Sequence, residues 1–414
     1  MSVLPIRLES GNYGRLMIVA LLGAAGAVFF LSPYTLMLFV CLFAVVSPTK
    51  DFKWLFLVTA CVLFTMLNIP KQLDDDLVSY ISLQDYMSVK SFFTLFDQDE
   101  MRGVSGTYRI TEMAFYAPLW MLARVLPDSE AALAVFATLG IYLPTFLGLA
   151  LIGKSENWSR GFLLTVAALT FFAGINFVSS THLMRQYISA SLFFYAFALY
   201  LSKRRAWSVM AALCACAVHN GTAPLVPILV IACWLFPYRP GRRLTLAGAF
   251  VRIVSMVLVL AAMMVAVPFA QGVVLKEVIP NITVWHYIAI GGFYLVAHAA
   301  IQMQRLRFRS FYYARVLFIV IYVLSLGFFV LGVKLFALRY IAYLEWLYGL
   351  LAGGIMFSMF KNRPALQVIA RFTVAMAAAG FLVMRITVST FMFGPGDNAF
   401  LSWNFFDVVQ LVSR

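Results

Sequence analysis

Apolar stretches approaching twenty residues recur along nearly the whole of this chain, and that recurrence dictates the class of fold. In lipid no water can bond a stray N–H or C=O, so each backbone polar group must be bonded within its own segment. Such a chain folds as a polytopic bundle of α-helices. Of its 414 residues 63% are hydrophobic and only 12% charged, and no stretch stands out as a separate soluble domain. Residues 1–414 are therefore read as a single all-α integral membrane domain with about 12–14 transmembrane helices. Crossings are expected near 16–31, 33–47, 54–70, 131–152, 161–177, 185–201, 206–219, 222–236, 247–269, 282–301, 314–333, 337–359 and 367–390. The first of these shows no small-residue cleavage site, so no removable signal is expected.

The net charge of +14 would point to nucleic acid in a soluble protein. Here the basic residues fall mostly in short loops between spans, such as Lys50/Lys53, Lys154/Arg160, Lys203-Arg204-Arg205, Arg239/Arg242/Arg243, Arg305/Arg307/Arg309 and Lys361/Arg363. The positive-inside bias accounts for them, with these loops and the N-terminus cytoplasmic, and the partner is the lipid bilayer, with no nucleic acid. One segment breaks the alternation. Counted as a crossing, 111–126 would put Lys154 and Arg160 outside. With Glu112 and Pro118 within it, it is read as a re-entrant or interfacial helix. Together with the acidic loop before it, it makes residues 71–126 an external element. The five cysteines all lie inside apolar segments; Cys214 and Cys216 point to different faces of one helix. All five are read as buried packing residues, without disulfide or metal.

That orientation gathers the remaining polar residues on the external side. Ten of the 17 acidic residues fall between Asp74 and Glu130. In "NFVSSTHLMRQYISASLFF", His182, Arg185, Gln186 and Ser189 share a helical face at the mouth of a span. An ionisable group there costs about 2.5–3.5 kcal/mol on insertion scales. Arg185 either snorkels to the headgroups or faces a charged partner. "CAVHNGTAPL" puts His219 where one span ends and Gly221 and Pro224 open the next. "KLFALRYIAYLEWLYGL" sets Arg339, Tyr343 and Trp346 on one face and leaves Glu345 on another, calling for a partner. In "LDDDLVSYISLQDY", Asp76 and Tyr80 stand one helical turn apart. The aspartates there can do acid/base work, bind a divalent cation through Asp74-x-Asp76, or simply solvate the loop.

Taken in order, these pieces resemble the EpsG/Wzy group of bacterial polysaccharide (O-antigen or exopolysaccharide repeat-unit) polymerases. The resemblance runs from about residue 70 to 350. It rests on Asp76 with Tyr80, on Glu112 in "TEMAFYAPLWML", and on Arg185-Gln186 opening a span that ends in Lys203-Arg204-Arg205. His219 in "HNGTAPL" and Arg339 with Tyr343 complete it. The chain departs from the group's pattern at two places: Gly221 and Thr222 stand where Ser-Ala is usual, and Met113 and Ala114 where Pro-Gly often follows the glutamate. The resemblance implies a GT-C-like fold in the bacterial inner (cytoplasmic) membrane with a periplasmic site. There an oligosaccharide repeat on undecaprenyl pyrophosphate would be joined to another lipid-linked repeat, with a chain-length regulator as a further partner.

That chemistry needs cations for the departing pyrophosphate and a base for the acceptor hydroxyl. Arginine pairs bidentately with phosphate oxygens, so Arg185, Arg339 and Arg109 are the candidates, with Gln186 and His182 beside them. A guanidinium clamp can replace a metal, so no metal or other cofactor is expected. His219, with an ordinary pKa near 6.5, is the candidate base, with Asp76 or Glu112 as a base itself or as the group that orients the histidine. Tyr80 and Tyr343, and other aromatics such as Tyr86, Phe92, Tyr108, Tyr187 and Trp285, are candidates to stack on sugars. The competing readings are a GT-C transferase using a polyprenyl-phosphate sugar, an O-antigen ligase, and a lipid-linked oligosaccharide flippase or transporter. A transporter should show paired halves, and no internal repeat is found.

Overall fold

The computed structural model describes residues 32–46, 51–69, 71, 75–106, 108–126, 130–238, 246–270, 283–303, 308–360 and 364–388, with Gly26 and Phe406 as isolated positions. The expected span 16–31, Asp74 and the basic residues at 50, 239, 242–243, 305, 307, 361 and 363 lie outside the described residues. The helices are α1 (Pro33–Val46), α2 (Phe52–Asn68), α3 (Asp75–Val89), α4 (Gln98–Val104), α5 (Met113–Val125), α6 (Glu130–Ser155), α7 (Arg160–Ala168), α8 (Phe177–Ser180), α9 (Met184–Leu201) and α10 (Arg205–Val218). They continue as α11 (Leu225–Leu235), α12 (Leu246–Ala270), α13 (Val284–Met303), α14 (Arg309–Val330), α15 (Lys334–Phe360) and α16 (Pro364–Val388). No strand occurs among the described residues.

The protein is an all-α polytopic membrane protein. Among the described residues five helical stretches are long and apolar enough to cross a bilayer: Glu130–Ser155, Val284–Met303, Arg309–Val330, Phe336–Met359 and Leu366–Thr387. Six shorter apolar helices of 10–17 residues accompany them. α5 has 13 residues and an internal Pro118, which at 1.5 Å per residue is about 20 Å, short of the ~30 Å hydrocarbon core.

Two expectations need correction. The acidic segment 71–110, read as a loop, carries α3, a 3₁₀ turn at Phe92–Phe96 and α4. Its α3 forms because Leu77, Tyr80, Leu83, Gln84 and Met87 make one buried stripe at helical spacing. Of the cysteines, Cys41, Cys61 and Cys233 are buried as expected, but Cys214 is exposed on the outside of α10. All five are free thiols.

Two helices meet with almost nothing between them. After α7 the chain widens into a π-helical turn at Leu169–Gly174, closed by the Ile175 N–H donating to the Thr170 carbonyl at 2.9 Å. A side chain at Gly349 of α15 would stand 1.9 Å from Thr170 Oγ1, and one at Gly174 would stand 2.9 Å from the Glu345 carbonyl oxygen. Only glycine at both positions lets the backbones approach this closely. Glu345 then reaches the chain just beyond the π turn. It accepts the Asn176 N–H at 2.8 Å and the Tyr187 hydroxyl at 3.3 Å, the partners that a buried carboxylate requires.

Side-chain contacts separate the bundle into two ends. At one, Glu156 just past α6 accepts the Ser310 N–H at 2.5 Å, and Arg309 donates to the Leu201 carbonyl at the end of α9. Phe308 packs edge-on against Phe357 near the end of α15. Lys154, Arg160 and Lys203 to Arg205 belong to the same end. The first turns of α9 and α15 and the last turn of α10 therefore lie together at the other end, and it is there that the candidate site forms.

Candidate functional site

Glu112 is the centre of the polar cluster. It sits in a 3₁₀ turn, Ile110–Glu112, that leads into α5, and it is 1% exposed. Its Oε2 accepts Arg185 Nη1 at 2.6 Å, across 73 residues of sequence. Its Oε1 lies 3.0 Å from His219 Nδ1 and accepts the Asn220 N–H at 3.1 Å. Three segments far apart in the chain therefore converge on one carboxylate. Burial alone would push this carboxyl up, but His219, Arg185 and the Asn220 N–H overcome it and hold it well down, from 4.5 to about 2. Glu112 is thus an anion throughout the physiological range, suited to orienting and not to accepting a proton.

Arg185 stands in the first turn of α9, nine-tenths buried. Besides Glu112 it donates through Nη1 to the Tyr116 hydroxyl at 2.8 Å and through Nε to the Tyr80 hydroxyl at 3.2 Å. Tyr116 reaches it from one turn after Glu112 on α5, and Tyr80 from the buried stripe of α3. A buried pair of this kind is stabilised only when its remaining donors and acceptors are also bonded, and here the two tyrosine hydroxyls and the Asn220 N–H supply such bonds.

His219 is the residue that stops α10; its backbone is extended, and a 3₁₀ turn, Asn220–Thr222, follows before Pro224 and α11. Its side chain is 13% exposed. Burial pulls its imidazole below the ordinary 6.5, Glu112 pulls it up, and the Arg339 and Arg185 charges oppose Glu112; the balance is a lowered value. Neutral imidazole then dominates at pH 7, with Nδ1–H donating to Glu112. That leaves the Nε2 lone pair. Nε2 is buried and has no hydrogen-bond partner among the described residues. The point where a Cβ on Gly221 would stand is 2.7 Å from Nε2, the distance of a hydrogen-bonded oxygen.

Gly221 therefore matters for its missing side chain. Gly221→Ala is expected to push the ring off Glu112 and lower the activity of the purified protein about a hundredfold, within the range for a displaced general base. Thermal stability should change little. Unchanged activity with the alanine in place would rule out this geometry.

Arg339, in the second turn of α15, lies in electrostatic range of Arg185, Glu112, His219 and Arg109. Its guanidinium rests 5.6 Å from the Phe336 ring and makes no hydrogen bond or ion pair among the described residues. Gln186 Nε2 donates to its backbone carbonyl at 3.0 Å, fixing the first turn of α9 to the second turn of α15. Arg109, just before the 3₁₀ turn that carries Glu112, is exposed and likewise without a side-chain partner among the described residues. Arg185 and Arg339 thus lie in electrostatic range of one described carboxylate, and Arg109 in range of Arg339.

The other expected site residues are placed as follows. Asp76 lies in the first turn of α3, one turn before Tyr80 on the same face, and its side chain is outside what the structure describes. His182 is half-buried in the turn between α8 and α9. Tyr80 is fully buried, and Tyr343 is 4% exposed with its hydroxyl on Thr222, which in turn meets Ser189. Neither ring presents a free face. Tyr108 and Tyr187 are equally buried, whereas Trp285 is 72% exposed.

Sequence reasoning passed over Tyr116, Asn220 and Lys71. Tyr116 was signalled by its position four residues after Glu112, and Asn220 by adjoining His219. Lys71 carried no signal. It is 3% exposed, its ammonium donates to the Phe177 carbonyl at 2.6 Å, and burial lowers its pKa well below the usual lysine value. No group of three His, Cys, Asp or Glu side chains among the described residues is placed to hold a metal.

Comparison with known proteins finds no matching family model, no matching curated protein and no matching solved structure.

Proposed function

We propose that this protein is a glycosyltransferase of the polysaccharide-polymerase type, acting on glycans carried by undecaprenyl pyrophosphate at the outer face of a bacterial inner membrane. The observation that carries this reading is the convergence of Glu112, Arg185 and His219 with Arg339 and Arg109, which are unpaired among the described residues, at the end of the bundle away from the basic loops. The ordered resemblance to the EpsG/Wzy group supports it.

In this reading His219 Nε2 takes the proton of an acceptor hydroxyl while Glu112 holds the ring and stabilises the imidazolium. The hydroxyl oxygen forms a bond to the anomeric carbon of the donor, whose bond to the pyrophosphate oxygen breaks. The negative charge released onto the lipid pyrophosphate is met by Arg339 and Arg109. Arg185, already bound to Glu112 and two tyrosines, acts as the post that positions the carboxylate. Sugar contacts fall to groups other than the buried Tyr80 and Tyr343 rings.

The test is chain length. Deletion of the gene should leave surface glycan capped by single repeats, and complementation should restore the ladder. Absence of any surface glycan in the deletion strain would instead mark a flippase. An intact polymer lacking only its attachment to the lipid core would mark a ligase.

A further inference from the structure

Away from that cluster, α12, α13 and α14 enclose a groove of about 280 Å³. Its wall is almost wholly apolar, with Ile253, Val257 and Ile319 along it. Ile253 and Val257 are more than half exposed, so the groove opens through the outer apolar belt of the bundle. Arg315, His298 and Gln302 interrupt that wall, along with the hydroxyl-bearing rings of Tyr294 and Tyr312.

Arg315 is 8% exposed and lines the groove. Its Nε donates to the Phe311 carbonyl one turn back at 3.3 Å, and its Nη1 is buried with no hydrogen-bond partner among the described residues. His298 Nδ1, on the facing helix, is in the same condition. Among the described residues no acidic side chain lines the groove. A guanidinium held in lipid at a cost of about 2.5–3.5 kcal/mol calls for an anion, and the one hydrogen bond it makes among the described residues is to a neutral carbonyl. Arg315 lies six residues into α14, about 9 Å from the basic end marked by Arg309. That is the level of lipid headgroups entering from that leaflet, and basic pockets between membrane helices bind anionic headgroups.

We infer that this groove is a binding site for an anionic phospholipid of the surrounding bilayer, with its phosphate on Arg315, His298 and Gln302 and an acyl chain along Ile253, Val257 and Ile319. The site is separate from the Glu112 cluster, and the inference does not depend on the proposed activity.

The test is native mass spectrometry of the purified full chain, titrated with dioleoyl-phosphatidylglycerol, with dioleoyl-phosphatidylcholine and with inorganic phosphate. The wild type should retain one phosphatidylglycerol at concentrations where phosphatidylcholine is not held, and inorganic phosphate should not displace it. Arg315→Met should weaken that retention about tenfold or more, the scale of one lost charge-assisted hydrogen bond. Ile319→Trp keeps the charge but fills the groove, and should weaken retention equally; it carries the test if the arginine variant does not fold. Equal retention of the two lipids, displacement by inorganic phosphate, or unchanged retention in Ile319→Trp would overturn the inference.

Discussion

Glu112→Gln is expected to cost stability and activity together. The amide keeps the shape and can still accept from Asn220 and His219, but its NH₂ faces the Arg185 guanidinium, donor against donor. Breaking a buried ion pair from one side costs about 3–5 kcal/mol, because the other charge is left uncompensated. Glycan transfer should fall about 10²–10⁴-fold, the scale of a lost general acid–base pair. The double substitution Glu112→Gln with Arg185→Met separates the two effects: removing both charges should recover most of the stability and none of the activity. Recovery of activity in the double variant would show that Glu112 does no more than neutralise Arg185.

The pair also sets a pH dependence. The Glu112 carboxyl is depressed from 4.5 to about 2, so its stabilisation is complete above about pH 4.5 and is lost as pH falls toward 2. Thermal unfolding of the wild type should weaken over that window, and that of Glu112→Gln should weaken less. Because the His219 imidazole is lowered below 6.5, the acid limb of the activity profile should also lie below 6.5.

The second large effect is at Arg339. Arg339→Ala is expected to lower glycan transfer about 10²–10³-fold, as when a donor aimed at developing negative charge is removed. Stability should hold or rise, since the arginine makes no ion pair among the described residues and its burial is a cost. Arg339→Lys should retain part of the activity, keeping the charge and losing the fork. Ladder length at matched protein level, together with thermal unfolding of the purified variants, reads both. A fall in stability equal to that of Glu112→Gln would show that Arg339 is structural.

What could be read in advance differs between the helices and the cluster. The spans followed from hydropathy alone, and α1, α2, α6 and α9 to α16 begin and end within a few residues of the expected limits. α3 was legible too, in the spacing of Leu77, Tyr80, Leu83 and Met87, but the aspartates around it read as a solvated loop. Arg185 shows where local reasoning stops. Its face and its position at a helix mouth were plain, while its partner lies 73 residues earlier. Nothing local distinguishes an arginine awaiting a phosphate from one already bound to a carboxylate. Tyr343 shows a similar limit: helical spacing assigns a face, not a depth, and its ring is buried with its hydroxyl on Thr222 inside the bundle.

Neighbouring residues of α9 hold different partners: Arg185 grips the carboxylate that steadies the imidazole, and Gln186 grips the backbone of Arg339. One peptide unit therefore acts as a caliper between the His219 imidazole and the Arg339 guanidinium. Any rearrangement that widens the gap between them must twist that link and also part the Tyr343 and Thr222 hydroxyls, which clasp the same two segments a turn further along.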